Sequence, residues 1–347
     1  MKHGARRSSM GARPVQSPSG RGFRSVGLAL AVALTAATAL AGCATGGARE
    51  LTGDLMTHDP ALAVEDGTSY VYSTGNATIA DGNIQIRSSA DGRNWRYRGE
   101  VWEEQPEWLG QAVPGVSNLW APELVEHDGT WYLYYSASTF GSNVSVIALA
   151  TNVTLDPESP DYEWVDRGQV LASSKSDDFN AIDPGIVLDE AGDPWMSFGS
   201  FWSGIRMIPL EWPSGGAADA SAPLRLADRQ SPPNAIEAPY IVLHGGDYFL
   251  FVSRDACCQG LDSTYNIAVG RSDAVDGPYL DREGVPLLEG GGTLVLAAEG
   301  DRIGPGGQSV QDDTLALHYY DRRLNGSFQL ALVALAWDDE GWPVAHW

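Results

Sequence analysis

The chain repeats itself. Five segments share one grammar: an acid, a proline or both, a short apolar run, a turn at Gly or Asp, then a run rich in aromatic residues. They lead from His58-Asp59-Pro60 to Tyr70-Val71-Tyr72, from Ala121-Pro122-Glu123 to Trp131-Tyr132-Leu133-Tyr134-Tyr135, from Asp183-Pro184 to Trp195-Met196-Ser197-Phe198, from Glu237-Ala238-Pro239 to Tyr248-Phe249-Leu250-Phe251, and from Gly304-Pro305-Gly306 to Leu315-Ala316-Leu317-His318-Tyr319-Tyr320. Asp59, Glu123, Asp183 and Glu237 follow one another at 64, 60 and 54 residues. That period suits one four-stranded propeller blade with generous loops. A β-sandwich needs no such period, and a β-helix repeats at roughly 20 residues.

A third alternating run follows in each of the first four units, such as Ile84-Gln85-Ile86-Arg87 and Val144-Ser145-Val146-Ile147-Ala148, bounded by Gly, Asn or Asp. Period-two alternation with such turns predicts strands, and helical periodicity is nearly absent. The 40 Gly and 20 Pro suit short strands and tight turns. The expected fold is all-β, a five-bladed β-propeller over residues 55–347. A length of 347 residues would suit two average domains, but one large all-β domain accommodates it equally. In such a ring the first strand of each blade lines a central channel. An acid at the start of each repeat would therefore point toward one axial site.

The N-terminus reads as a targeting segment. Lys2, Arg6, Arg7, Arg13, Arg21 and Arg24 precede an apolar run from Val26 to Ala41, short for a membrane span of about 20 residues. The run ends Leu40-Ala41-Gly42-Cys43, which looks like a bacterial lipobox. Residues 1–42 are expected to be a lipoprotein signal peptide, with Cys43 lipidated and residues 43–54 a short linker. The protein would be exported, anchored at the cell surface by lipid or secreted. Arg6-Arg7 lies too far from the apolar run to act as a twin-arginine signal.

Charge narrows the partners. The chain has 22 basic and 45 acidic residues, and residues 1–42 hold six of the former and none of the latter. The remainder sets 16 basic against 45 acidic side chains, a formal charge of −29. Such a surface repels phosphate backbones and anionic lipid heads, so nucleic acid is excluded as a partner and membrane contact is limited to the lipid anchor. A neutral polysaccharide is compatible. After Cys43 only Cys257 and Cys258 remain. An adjacent pair cannot staple a fold, so stability must come from the core. The pair either closes a small disulfide ring, the favoured reading in an exported protein, or stays reduced.

Glycosidic hydrolysis asks for two carboxyls with opposed duties, one protonated to help the leaving oxygen depart and one ionised to activate water or attack the sugar. Asp59 and Glu237 supply such a pair and Asp183 adds a third acid. Repulsion and partial burial on a shared axis keep at least one of the three protonated near neutral pH. Sugars bind by stacking on aromatic faces and by hydrogen bonds to their hydroxyls. Trp120 and Phe140 are candidate platforms, with Asn180 and Ser200 as polar contacts. Trp131 and Trp195 fall inside strands and read as core, and Glu123, which follows its proline, reads as structural. No phosphate loop, zinc spacing or dinucleotide fingerprint appears in a convincing context, so no organic cofactor is expected.

From about Leu55 onward the chain resembles the endo-arabinanases of glycoside hydrolase family 43. The resemblance is carried by His58-Asp59-Pro60, Leu119-Trp120-Ala121-Pro122-Glu123, Tyr134 to Gly141, Asn180-Ala181-Ile182-Asp183-Pro184, Phe198 to Gly204, Ile236-Glu237-Ala238-Pro239, and Cys257-Cys258 followed by Ser263-Thr264-Tyr265. It implies a monomeric enzyme that cuts α-1,5-linked L-arabinan internally with inversion. Asp59 would be general base, Glu237 general acid, and Asp183 would tune and orient the acid. It also implies that His318 helps hold a metal, generally calcium with waters. Gly306-Gly307-Gln308-Ser309 departs from the Gly-His-Asn-Ser turn expected there. Two alternatives remain: an exo-acting arabinofuranosidase or xylosidase on the same fold, and a non-catalytic surface lipoprotein that binds sugars.

Overall fold

The computed structural model describes residues 47–77, 81–218 and 222–347. The expected signal peptide over 1–42 and the expected lipid site at Cys43 lie outside the described residues. The fold is a five-bladed β-propeller, one antiparallel meander per repeat. The innermost strands are Ala61–Glu65, Leu119–His127, Gly185–Leu188, Ile236–His244 and Arg302–Gln311. Each pairs with an aromatic-rich second strand: Thr68–Ser73, Thr130–Ala137, Pro194–Phe198, Asp247–Arg254 and Thr314–Asp321. A single helical turn, Trp108–Ala112, interrupts the pattern between the first two blades.

Sheets with two apolar faces must be covered on both sides, and a ring of sheets covers each with its neighbours. Five apolar clusters accordingly fill the five gaps between blades. The gap between blades one and two is the richest, holding Tyr72, Ile86, Leu133 and Tyr135 among others. The seam where blade five meets blade one is the smallest, with Leu62, Val71, Trp95, Ala316, Leu330 and Leu332.

At or just before each inner strand, next to the axis, stands a residue in the left-handed region: Asp59 (φ 49°), Ala121 (40°), Asp183 (59°), Ala238 (48°) and Gly307 (58°), with Gly304 (55°) a second one in blade five. Four of the five have a β-carbon, which costs roughly 1 kcal/mol or more at such an angle. The same places carry shifts of register between Trp120 and Glu123, Glu237 and Tyr240, and Gly306 and Ser309, as a bulge requires. A cavity of about 30 Å³ on the axis is lined by residues from all five inner strands.

The backbone N–H of each of the first five is held by a side chain of the preceding blade. Ala121 donates to Thr74 Oγ1 at 2.8 Å, Asp183 to Ser136 Oγ at 3.0 Å, Gly307 to Ser253 Oγ at 3.0 Å and Asp59 to His318 Nδ1 at 3.1 Å. The acceptors occupy one structural position, opposite the residue that precedes the left-handed one. In blade three that position is Gly199, which has no side chain, and Ala238 donates instead to Asp183 Oδ2 at 3.0 Å. Each bond satisfies a donor that would otherwise be orphaned, worth about 1 kcal/mol net. Together they stitch the blades into a closed ring.

Register also corrects the alignment of the repeats. Glu237 is not the counterpart of Asp59: Ala238 is, and Glu237 sits one residue earlier, level with Trp120 and His58. In the fifth repeat the equivalent place belongs to Gly307 rather than Gly304-Pro305, with Gln308 standing where the other four blades have proline. One residue of offset along a strand changes which face a side chain takes, and spacing alone does not reveal it.

Residues 47–54, within the segment 43–54 read from sequence as a short linker, pair with the propeller. Thr52–Gly53 adds a parallel strand outside Asn94–Glu100, and Ala48 bridges Val333 in blade five. Arg49 N–H donates to Leu332 O, and Leu330 N–H to Leu55 O. The buried Arg87 side chain donates to the carbonyls of Asp54 and Met56, pinning the approach to Asp59. Because this segment straddles the thinnest seam, its removal is expected to open the ring. Deleting residues 47–53 should lower the midpoint of thermal unfolding by several degrees in scanning calorimetry. An unchanged midpoint would mean that the segment is only a tether.

Candidate active site

One mouth of the channel opens into a cleft of about 760 Å³ lined by Asp59, Asp183 and Glu237. The three acids come from blades one, three and four, and the ring geometry alone brings them together. Asp59 Oδ2 accepts hydrogen bonds from Thr74 Oγ1 at 2.6 Å and from His58 Nδ1 at 2.8 Å. Its Oδ1 lies 3.4 Å from His318 Nδ1. Burial by itself would raise this carboxyl, but the adjacent His58, its hydrogen bond and the close His318 ring outweigh it and hold Asp59 well below the usual carboxylate range.

The other two acids go the opposite way. Glu237 accepts from Ser200 Oγ at 2.6 Å and from Tyr265 OH at 2.7 Å. Burial pushes its pKa up further than those two donors pull it down. Asp183 is raised well above its ordinary value by burial first, then by the charges of Glu237 and Asp59. Its Oδ2 holds the N–H of Ala238, the residue directly after Glu237. Asp183 thus touches the acid through both charge and backbone. The two carboxyls titrate together, so their proton affinities belong to the pair.

Trp120 and Phe140 meet edge to face on the cleft wall, with centroids 6.3 Å apart, and Phe140 is 85% exposed. Such an apolar corner offers a face to a sugar ring. Asn180 lines the cleft, and its oxygen accepts from Ser145 Oγ at 2.6 Å. Ser200, expected as a sugar contact, also lines the cleft and gives its proton to Glu237. Glu123 is buried in the axial cavity beneath the cleft, away from the aromatic wall, as its structural reading anticipates.

Several residues at the site were not singled out from sequence. His58, Thr74, Tyr265 and Gln308 hold the acids or their backbone; Gln308 Nε2 donates to Ala238 O at 2.6 Å. Trp202, at φ 39° on the cleft rim, is a further exposed aromatic residue. Adjacency to Asp59 marked His58, but nothing local marked the others. Gly307 also gains a reason: a β-carbon there would collide with Asp59 Oδ1 and come within 2.8 Å of His318 Nδ1. The departure from a Gly-His turn therefore sits directly against the base candidate.

His58, Asp59 and His318 place potential ligand atoms within 4.8 Å of one another. His318 is fully buried, which pushes its pKa down to about 4 and leaves the ring neutral, and its Nε2 has no hydrogen-bond partner. His58, Cys257 and Cys258 form a second such group, but the two sulfurs are joined in a disulfide and offer no thiolate.

Comparison with known proteins agrees with the site. The sequence profile of the glycosyl hydrolases family 43 matches residues 52–343. The extracellular exo-α-(1→5)-L-arabinofuranosidase of Cellvibrio japonicus is 41% identical over 82% of this chain and 85% of its own length. The extracellular endo-α-(1→5)-L-arabinanase 1 of Bacillus subtilis is 36% identical over 92% of this chain and 96% of its own. Among solved structures, the endo-arabinanase of Bacillus licheniformis superposes with a TM-score of 0.80 at 39% identity, covering 85% of this chain and 99% of that one. The Cellvibrio cellulosa α-L-arabinanase complexed with arabinohexaose gives 0.78 at 39% identity, covering 83% and 95%. With its five blades, its converging carboxyls and a profile match across nearly all the described residues, this chain belongs to glycosyl hydrolases family 43.

Proposed function

We propose that the protein hydrolyses internal α-1,5-L-arabinofuranosidic bonds of arabinan with inversion, Asp59 acting as general base and Glu237 as general acid. The observation that carries this reading is the opposed proton affinity of two carboxyls in one cleft, Asp59 shifted well below the usual carboxylate range and Glu237 shifted above it. A water near Asp59 gives its proton to the carboxylate while its oxygen attacks the anomeric carbon; Glu237 gives its proton to the departing glycosidic oxygen. Asp59 Oδ1 is the oxygen left clear by the bonds that Thr74 and His58 make to Oδ2. Asp183 shares the proton affinity of the pair with Glu237 and fixes the backbone behind it. Trp120 and Phe140 supply stacking faces and Asn180 a polar edge. Relatives named extracellular support export, and the basic and apolar N-terminus ending at Cys43 supports a lipid anchor.

An exo-acting reading has its own support in the Cellvibrio japonicus relative. Digestion of linear arabinan, followed by NMR of fresh products, separates the two. A ladder of oligosaccharides whose new reducing ends are β is expected; a single small product from the first minutes, or retained configuration, would sink the endo or the inverting assignment. Glu237→Gln is expected to lower kcat by about 10²–10⁴-fold while leaving the affinity for arabino-oligosaccharides nearly intact.

Activity is expected to fall as pH rises through the affinity of the Glu237–Asp183 pair, because the acid must carry its proton. Asp183→Asn keeps an oxygen for the Ala238 N–H but removes the repelling charge. The pKa of Glu237 then drops, and the alkaline limb of kcat/KM moves to lower pH. A limb that stayed in place would remove Asp183 from that role.

A calcium ion would take His318 Nε2, a buried ring nitrogen without a hydrogen-bond partner. The ring is then in the tautomer that carries the proton on Nδ1, which faces Asp59 Oδ1 at 3.4 Å and no longer accepts from the Asp59 N–H. His318 would hold the ion with water filling the other positions, since calcium favours oxygen ligands. When bound, the ion supplies positive charge beneath the carboxyl cluster. Chelation is expected to lower the thermal midpoint and added calcium to restore it. In His318→Ala neither treatment should have an effect.

A further inference from the structure

The cleft wall beside Asp59 is formed by Cys257 and Cys258, whose disulfide lies against His58 with both sulfurs 3.9 Å from Nε2. His58 itself lines the cleft and is mostly enclosed. It stacks on His318 with ring centroids 3.7 Å apart and meets the edge of Phe328 at 5.2 Å. Its Nε2 lies 3.2 Å from Tyr320 OH. Tyr320 OH in turn takes the backbone N–H of Cys258 at 2.9 Å.

The bond to Asp59 has a fixed direction. A carboxylate accepts only, so His58 Nδ1 carries the proton it donates to Oδ2. The other ring nitrogen, Nε2, is held by Tyr320 OH, and the tyrosine oxygen accepts from the Cys258 N–H. The backbone donor at Cys258 therefore braces Tyr320, and Tyr320 braces the His58 ring in the orientation that meets Asp59, much as outer hydrogen bonds orient a catalytic or metal-binding histidine.

That donor is placed by a tightly held loop. Asp255 and Cys258 both have positive φ, at 70° and 66°. Ala256 N–H donates to Thr264 Oγ1, Thr264 N–H to Ala256 O, and Gln259 N–H to Ser263 Oγ. The covalent ring across Cys257 and Cys258 fixes the peptide that presents the N–H. Cys258 is exposed, so a reductant can reach it.

We propose that the Cys257–Cys258 disulfide is a positioning element of the hydrolytic site, orienting Asp59 through Tyr320 and His58, so that its reduction lowers turnover while substrate binding persists. This rests on Asp59 being the base. In the reduction a dithiol gives two electrons and two protons to the S–S bond, yielding two cysteine thiols and the cyclic disulfide of the reductant. The sulfurs then separate, the Cys258 N–H leaves Tyr320, and the chain to Asp59 loses its anchor.

The test uses the mature protein with dithiothreitol, free thiols being titrated after the reductant is removed. The expected result is two thiols per chain, a fall in kcat of about tenfold with KM changed less than about twofold, and recovery on reoxidation with oxidised glutathione. Tyr320→Phe should start at the lower kcat and respond less to reductant, since both changes break the same chain. Cys257→Ser/Cys258→Ser should be low throughout and indifferent to redox. A reduced protein with two titrated thiols, or a folded double variant, that kept wild-type kcat would overturn the proposal. If dithiothreitol released no thiols, the double variant alone would decide it. Full activity in Asp59→Ala would instead overturn the assignment of the base, and the two failures are thereby told apart.

Discussion

Everything at the active site hangs on five backbone N–H groups near the propeller axis, each held by a side chain of the neighbouring blade. A left-handed residue costs free energy wherever it carries a β-carbon, and a buried donor without a partner costs more. The two costs are met together: the strained turn aims the N–H at the neighbour, and the neighbour's acceptor holds the turn. Closure of the ring and placement of the acids are consequently one problem. Asp59 and Asp183 are themselves two of the five strained residues, so the fold cannot relax without moving them.

The electrostatics follow from who the neighbours are. Burial raises the proton affinity of all three carboxyls, and it alone would make them alike. Asp59 is separated from the others by its two histidines and by Thr74, which favour its charge. Glu237 receives only neutral hydroxyls from Ser200 and Tyr265, and Asp183 receives only a peptide N–H and two like charges nearby. Neutral donors moderate the effect of burial on Glu237 without reversing it, and the same dry pocket therefore holds a base and an acid side by side.

Much of this was legible in the chain. The repeat near 60 residues specified blades, their number and their meander, because strands and turns answer to local chemistry. Asp59, Asp183 and Glu237 stood out because each falls within two residues of a proline at the start of a repeat. The finer placements were not legible. The one-residue offset of Glu237 depends on a bulge between the pairs Glu237–Ser253 and Tyr240–Phe251, whose partners lie 16 and 11 residues away in the second strand. Tyr265 and Ser200 reach Glu237 from outside its strand, and Gln308 reaches Ala238 across 70 residues. The strand at Thr52–Gly53 is two residues long and apolar on neither face, so no periodicity could announce it.

Gly199 is the one place where the ring has no side chain of its own to offer. It cannot simply acquire one: its φ is 124°, and a β-carbon would come within 2.6 Å of Gly204 O. Asp183 therefore serves two masters, the architecture and the chemistry, and neither can release it. Any lineage or engineer seeking a different working acidity through this residue must carry the robustness of the scaffold along with it. Ser136, the clamp on Asp183, bonds to none of the three carboxyls and is where the ring can drift.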